Sequence, residues 1–164
     1  MSPLAYKASL RALGAAAALL AWICVPAMAA SGVSTIDDDY KAMAVSDTTI
    51  VALDPDSDLY TSDGDGASFT LREPTDGNYE ALAAVGATVV AVGVDGLILR
   101  SADGGAAWSS ANAPVLFGSL YGGAGRTDGG NPNCWIAVGD DGLDGSIYRS
   151  TDDGANWTVA ETLT

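Results

Sequence analysis

Ser101-Ala-Asp103-Gly-Gly105-Ala-Ala-Trp108 and Ser150-Thr-Asp152-Asp-Gly154-Ala-Asn-Trp157 carry one phrase, S-x-D-x-G-x-x-W, at two places in the chain. Ser62-Asp-Gly-Asp65-Gly66-Ala-Ser-Phe69 carries it a third time, with the serine, the second glycine and the aromatic kept and the aspartate slipped by one position. Such a phrase encodes a tight corner between two strands. Short Ser and Asp side chains bond nearby backbone amides, glycine supplies positive φ, and the aromatic caps the apolar side of the hairpin. These are architectural signals before they are chemical ones.

Working outward, the corners recur with their surroundings. Arg100-Ser101 maps onto Arg149-Ser150 at an offset of 49, as does Trp108 onto Trp157, and Phe69 to Trp108 is an offset of 39. A period in that range suits one four-stranded unit of a repeat fold. Each unit contains four short strand signals separated by Gly, Asp and Asn. The first reads Tyr40–Val45, Thr48–Leu53, Asp58–Thr61 and Ser68–Leu71. The second reads Tyr79–Val85, the β-branched Thr88–Val92, Leu97–Arg100 and Ala107–Ser110. The third reads Gly118–Tyr121, Cys134–Val138, Ser146–Arg149 and Asn156–Val159. Short turn-rich joints, Arg72–Asn78 and Ser110–Pro114, connect the units, which span about 38–72, 78–111 and 116–161. Gly122–Asn133 reads as a long glycine-rich loop inside the third unit, expected to be flexible, with a binding role as the alternative.

Residues 1–30 stand apart. Lys7 and Arg11 precede the apolar run Leu13–Val25, and Pro26-Ala-Met-Ala-Ala30 offers small residues for cleavage near Ala29 or Ala30. This is the pattern of a secretory signal peptide, so the chain is expected to be secreted or periplasmic, with no membrane insertion after cleavage. Residues 31–164 then form the repeat domain. They hold five Lys and Arg against twenty-one Asp and Glu, a net of −16. So acidic a surface repels nucleic acid and anionic lipid. Cys134 is the one cysteine left after cleavage; it sits in Cys134-Trp-Ile-Ala-Val138 and reads as a buried, inert thiol. The chain has no histidine, which removes histidine triads and the common zinc sites.

The stretch Ala91-Val-Gly-Val-Asp-Gly-Leu-Ile-Leu-Arg-Ser-Ala-Asp-Gly-Gly-Ala-Ala-Trp108 resembles the Asp-box, or BNR, repeat of sialidase-like β-propellers. Within that superfamily it is most similar to exported proteins of the photosystem II stability/assembly-factor-like group. Ala137–Gly142 and Ile147–Trp157 repeat the likeness, with Leu143-Asp-Gly145 inserted. The resemblance implies an all-β fold: a partial propeller of about three four-stranded antiparallel blades, preceded by a signal-peptide helix. Three blades cannot close a ring, so the resemblance leaves three options: a fragment, copies associating into a homo-oligomer, or a divergent stack of sheets.

The same resemblance orders the candidate residues. Ser62, Gly66, Phe69, Ser101, Asp103, Gly105, Trp108, Ser150, Asp152, Gly154 and Trp157 are structural, because the family's corners lie on the outer rim between third and fourth strands. Arg100 and Arg149 occupy matching places in successive units. Assembly factors line up such arginines against a client protein; the alternative is an inter-blade salt bridge. A sialidase needs an arginine cluster, a Tyr/Glu pair and an acidic Asp. Here the arginines are Arg72, Arg100, Arg126 and Arg149, and Tyr79 and Glu80 are neighbours that a strand directs to opposite faces. Asp54, Asp56 and Asp58 alternate as in a calcium loop, with Leu59 where an EF-hand demands glycine, and Asp140–Asp144 is a second acidic turn. Calcium is the cofactor to consider at these turns, with solvated turns as the default and no other cofactor indicated. The expected function is a non-catalytic exported scaffold or binding module for a protein or glycan partner. The alternatives are a truncated sialidase-like glycoside hydrolase and an inactive fragment of a longer propeller.

Overall fold

A computed structural model describes residues 40–163 except 48, 64, 74–76, 115–117 and 129–130. The expected signal segment lies outside the described residues.

Twelve strands form three four-stranded sheets, each an antiparallel meander. The first holds β1 (Ala42–Val45), β2 (Ile50–Leu53), β3 (Leu59–Ser62) and β4 (Thr70–Glu73). The second holds β5 (Tyr79–Val85), β6 (Thr88–Gly93), β7 (Ile98–Ser101) and β8 (Ser109–Ser110). The third holds β9 (Leu120–Asp128), β10 (Asn131–Asp140), β11 (Gly145–Ser150) and β12 (Thr158–Leu163). Among the described residues the one helical element is a 3₁₀ turn at Val94–Gly96, where Asp95 takes φ 55°.

The sheets stack face to face, and the two-residue period of a strand decides which residues meet. In β6, Val89 and Ala91 join a core with Val51, Leu53 and Leu59 of the first sheet. Their neighbours Val90 and Val92 join a second core with Leu120, Trp135, Ala137 and Tyr148 of the third. The middle sheet is therefore covered on both faces, and all six residues of β6 are buried. That explains why its sequence is a continuous β-branched run rather than an alternating one. Each fully buried Val or Leu contributes about 1.5–3 kcal/mol, so these two interfaces carry most of the apolar stabilisation.

The glycine-rich stretch departs from expectation. Gly122–Asp128 completes β9, and Asn131–Asn133 opens β10, so the described residues of this stretch lie in paired strands rather than a loop. The physical reason is close packing. A Cβ on Gly125 would lie 2.6 Å from Val85 and 2.7 Å from the ring of Trp135, and a Cβ on Gly123 would touch Val92. The glycines make room for Trp135, which is buried at 1 % exposure. Cys134 also differs: it sits in β10 opposite Arg126, on the face away from Trp135, and is half-buried. Alternation along the strand gives the core to Trp135 and withholds it from its neighbour.

Candidate functional site

The two full corners have the same construction. Ser101 Oγ donates to Asp103 Oδ1 (2.8 Å) and accepts from the amides of Asp103 (3.3 Å) and Gly105 (2.8 Å). Asp103 Oδ1 also accepts from the Ala107 amide at 2.9 Å, and Trp108 Nε1 donates to the Gly105 carbonyl at 2.9 Å. Ser150, Asp152, Gly154, Asn156 and Trp157 repeat every one of these bonds at 2.8–3.4 Å. Gly105 and Gly154 take φ of 92° and 81°, which explains glycine there. The backbone amide of Ala107 and the Ser101 hydroxyl hold the Asp103 carboxyl below its ordinary range. At Asp152 the Asn156 side chain and amide do the same, with the Ser150 hydroxyl.

The third corner is built differently. Gly66 keeps positive φ, 70°, and Asp65 Oδ1 bonds the Ala67 amide at 2.9 Å. The slipped aspartate leaves the Ser62 hydroxyl buried with no hydrogen-bond partner. Phe69 tilts against Tyr40 at 6.1 Å and, lacking an indole N–H, makes no counterpart of the bond that Trp108 and Trp157 donate to the glycine carbonyl of their own corner.

Arg100 lies across the joint between the second and third sheets. Its Nε donates to the Asp153 carbonyl (2.7 Å) and its Nη2 to Asp153 Oδ2 (2.9 Å). Thr88 Oγ1 reaches the same oxygen at 2.6 Å, and Asn133 Nδ2 bonds Oδ1 at 2.8 Å. Burial opposes ionisation of Asp153, but the bonds from Thr88, Asn133 and Arg100 outweigh it and hold the carboxyl below its usual range. Arg149, at the matching place on β11, is exposed and makes no ion pair among the described residues. A shared arginine patch is therefore not assembled, because Asp153 draws Arg100 into the joint.

The remaining candidates are similarly dispersed. Asp54 is buried, and its Oδ1 accepts from the Asp58 amide at 2.9 Å within a turn that closes through Ser57, φ 71°. Asp54, Asp56 and Asp58 are not gathered into a metal-holding group among the described residues. Tyr79 is buried in the first core, whereas Glu80 faces Lys41 at 3.5 Å. Arg72 bonds Thr61 Oγ1 at 2.7 Å, on a different sheet from Arg100.

One surface feature has a sequence signal that residue type alone did not expose. The insertion after Gly142 makes a longer β10–β11 turn in which Asp140 and Asp141 bond the amides of Gly142, Leu143 and Asp144 at 2.8–3.1 Å. Leu143 projects from its tip at 93 % exposure. Beside it Tyr121, also exposed, donates to Asp140 Oδ2 at 2.7 Å. That bond and the Gly142 amide hold the Asp140 carboxyl below its ordinary range, and the same bond raises the Tyr121 hydroxyl. The Asp153 contact was likewise readable only by setting the corners side by side, where Asp153 takes the place of Gly104.

No family model matches the sequence. No curated protein matches it either. Solved structures do match its fold. YCF48 from Cyanidioschyzon merolae superposes with a TM-score of 0.60 at 19% identity, over 77% of this chain and 41% of that one. YCF48 bound to D1 peptide superposes at 0.57 and 22%, over 74% and 39%. A chain of a nidogen/laminin complex superposes at 0.60 and 16%, over 76% and 49%. This chain thus spans less than half the length of each of these neighbours. The three stacked meanders are blades of a β-propeller.

Proposed function

We propose that the chain is an exported, non-catalytic binding module of the Asp-box type, whose loop surface holds a segment of another protein. The observation that carries this reading is how the polar groups are spent. The serines and aspartates of the two full corners and Asp54 are consumed in bonds within their own turns, and Arg100 with Asp153 in a bond between blades. What faces outward is instead a recognition surface: an ordered acidic turn that presents Leu143, with Tyr121 fixed beside it. An aromatic and an aliphatic anchor with polar rims suit a polypeptide partner. The likeness to YCF48, one of whose structures has D1 peptide bound, supports a peptide-holding role.

The test is site-specific photo-crosslinking from position 143 in an expressing bacterium. A discrete protein adduct is expected, reduced by Tyr121→Ala at unchanged melting temperature. Retention on a glycan array without any protein adduct would move the partner to the glycan class. Turnover of an aryl sialoside or glycoside by the purified chain would overturn the non-catalytic reading.

A further inference from the structure

The two observed joints follow one rule, and the chain carries the halves of a third joint at its two outer faces. In the first joint the corner of the second blade rests on the first, where a Cβ on Gly105 would lie 2.9 Å from both Val51 and Thr61, which pair across β2 and β3. In the second joint Gly154 rests on Val90 and Arg100, which pair across β6 and β7. In the second joint the residue just before that glycine also meets the residue just before the preceding blade's corner serine, Asp153 against Arg100. In the first joint Gly104 lies instead against Ser46 and Thr49 of the first blade, and Thr61 meets Gly105 itself.

The third blade offers the same platform, Ile136 paired with Arg149, to solvent. The first blade offers the same corner, Asp65 before Gly66, also to solvent. Arg149 and Asp65 thus repeat the Arg100–Asp153 pairing in sequence, and neither makes an ion pair among the described residues. The apolar surroundings match as well. Val138 is 44% exposed on the outer side of the third blade, and Met43 and Val45 are 59% and 69% exposed on the outer side of the first.

We propose that two copies of this chain associate head to tail, the outer face of the third blade of each stacking on the first blade of the other, with Arg149 placed against the partner's Asp65. The three described blades of two copies make six, within the four to eight of closed propellers, whereas those of three copies make nine. The interface is heterologous but closes after one turn, so both open faces and their edges are covered without a fibre forming. This proposal is independent of what the acidic turn binds.

The protein recovered from an expressing bacterium, in whatever processed form the cell leaves it, is weighed by sedimentation across a concentration series. A two-chain species is expected. Arg149→Glu and Asp65→Arg should each weaken its association by about tenfold or more, and combining them should restore it. Val45→Lys, on an exposed side chain, should dissociate the dimer while leaving the circular dichroism spectrum unchanged. A monomer at every concentration overturns the proposal. So does a stable larger assembly, a dimer indifferent to Arg149→Glu and Val45→Lys, or a charge swap that fails to restore association.

Discussion

Serine does different work at three equivalent positions. Ser101 and Ser150 each accept from a buried glycine amide and donate to a carboxylate, so removing either hydroxyl strands a buried donor. Ser62 holds an equally buried hydroxyl with no partner, because the aspartate that should receive it has slipped to position 65. Alanine at 101 or 150 should therefore cost about 1–3 kcal/mol, and alanine at 62 should be neutral or stabilising, since an orphaned hydroxyl only carries a desolvation cost. Urea denaturation of the three variants checks the ordering; an equal loss at all three would contradict it. The corner bonds were legible from spacing alone, as Ser and Asp side chains reach only their own loop. The orphan at Ser62 was half legible: the slip is visible in the sequence, its consequence is not.

At the scale of the strand, glycine was the ambiguous letter. Gly122–Asn133 has the composition of a flexible loop, yet β9 and β10 run through it. Composition reports what a backbone is free to do, whereas Trp135 and Val85 decide what it does by demanding closest approach at Gly125. Gly125→Val should cost about 1–3 kcal/mol or more through overpacking. Gly122→Ala, whose Cβ would meet Val138 at an ordinary 3.5 Å, should be tolerated. Thermal melts of both variants would separate a packed strand from a loop, in which the two substitutions should be alike. The β-branched run of β6 was the opposite case. Its apolar continuity already demanded two covered faces, and the structure supplies a sheet on each side.

For the whole molecule, acid is the informative perturbation. Asp103, Asp152 and Asp153 are all held below their ordinary values. A carboxyl depressed in the folded state contributes stability that is fully present above its unfolded pKa, about 3.9. That contribution is lost as pH falls through the lower folded values. Stability should therefore be flat above about pH 5 with respect to these groups and fall below about pH 4. Asp153→Asn should remove part of that fall while loosening the joint that Arg100 spans. Chemical denaturation at a series of pH values reads both, and a fall centred near neutrality would assign the acid response to other groups.

The sequence by itself determined the local architecture: three corners, twelve short strands, and a middle blade apolar on both sides. Those features depend on contacts within a few residues or on a two-residue period, and both are written directly in residue order. Only the tertiary structure decided that Arg100 serves a joint while Arg149 faces outward, that Trp135 turns a glycine-rich run into a strand, and that the alternating aspartates do not converge. Each of these depends on which residue of another sheet lies opposite. That is fixed by the stacking of sheets and not by any spacing along one chain segment.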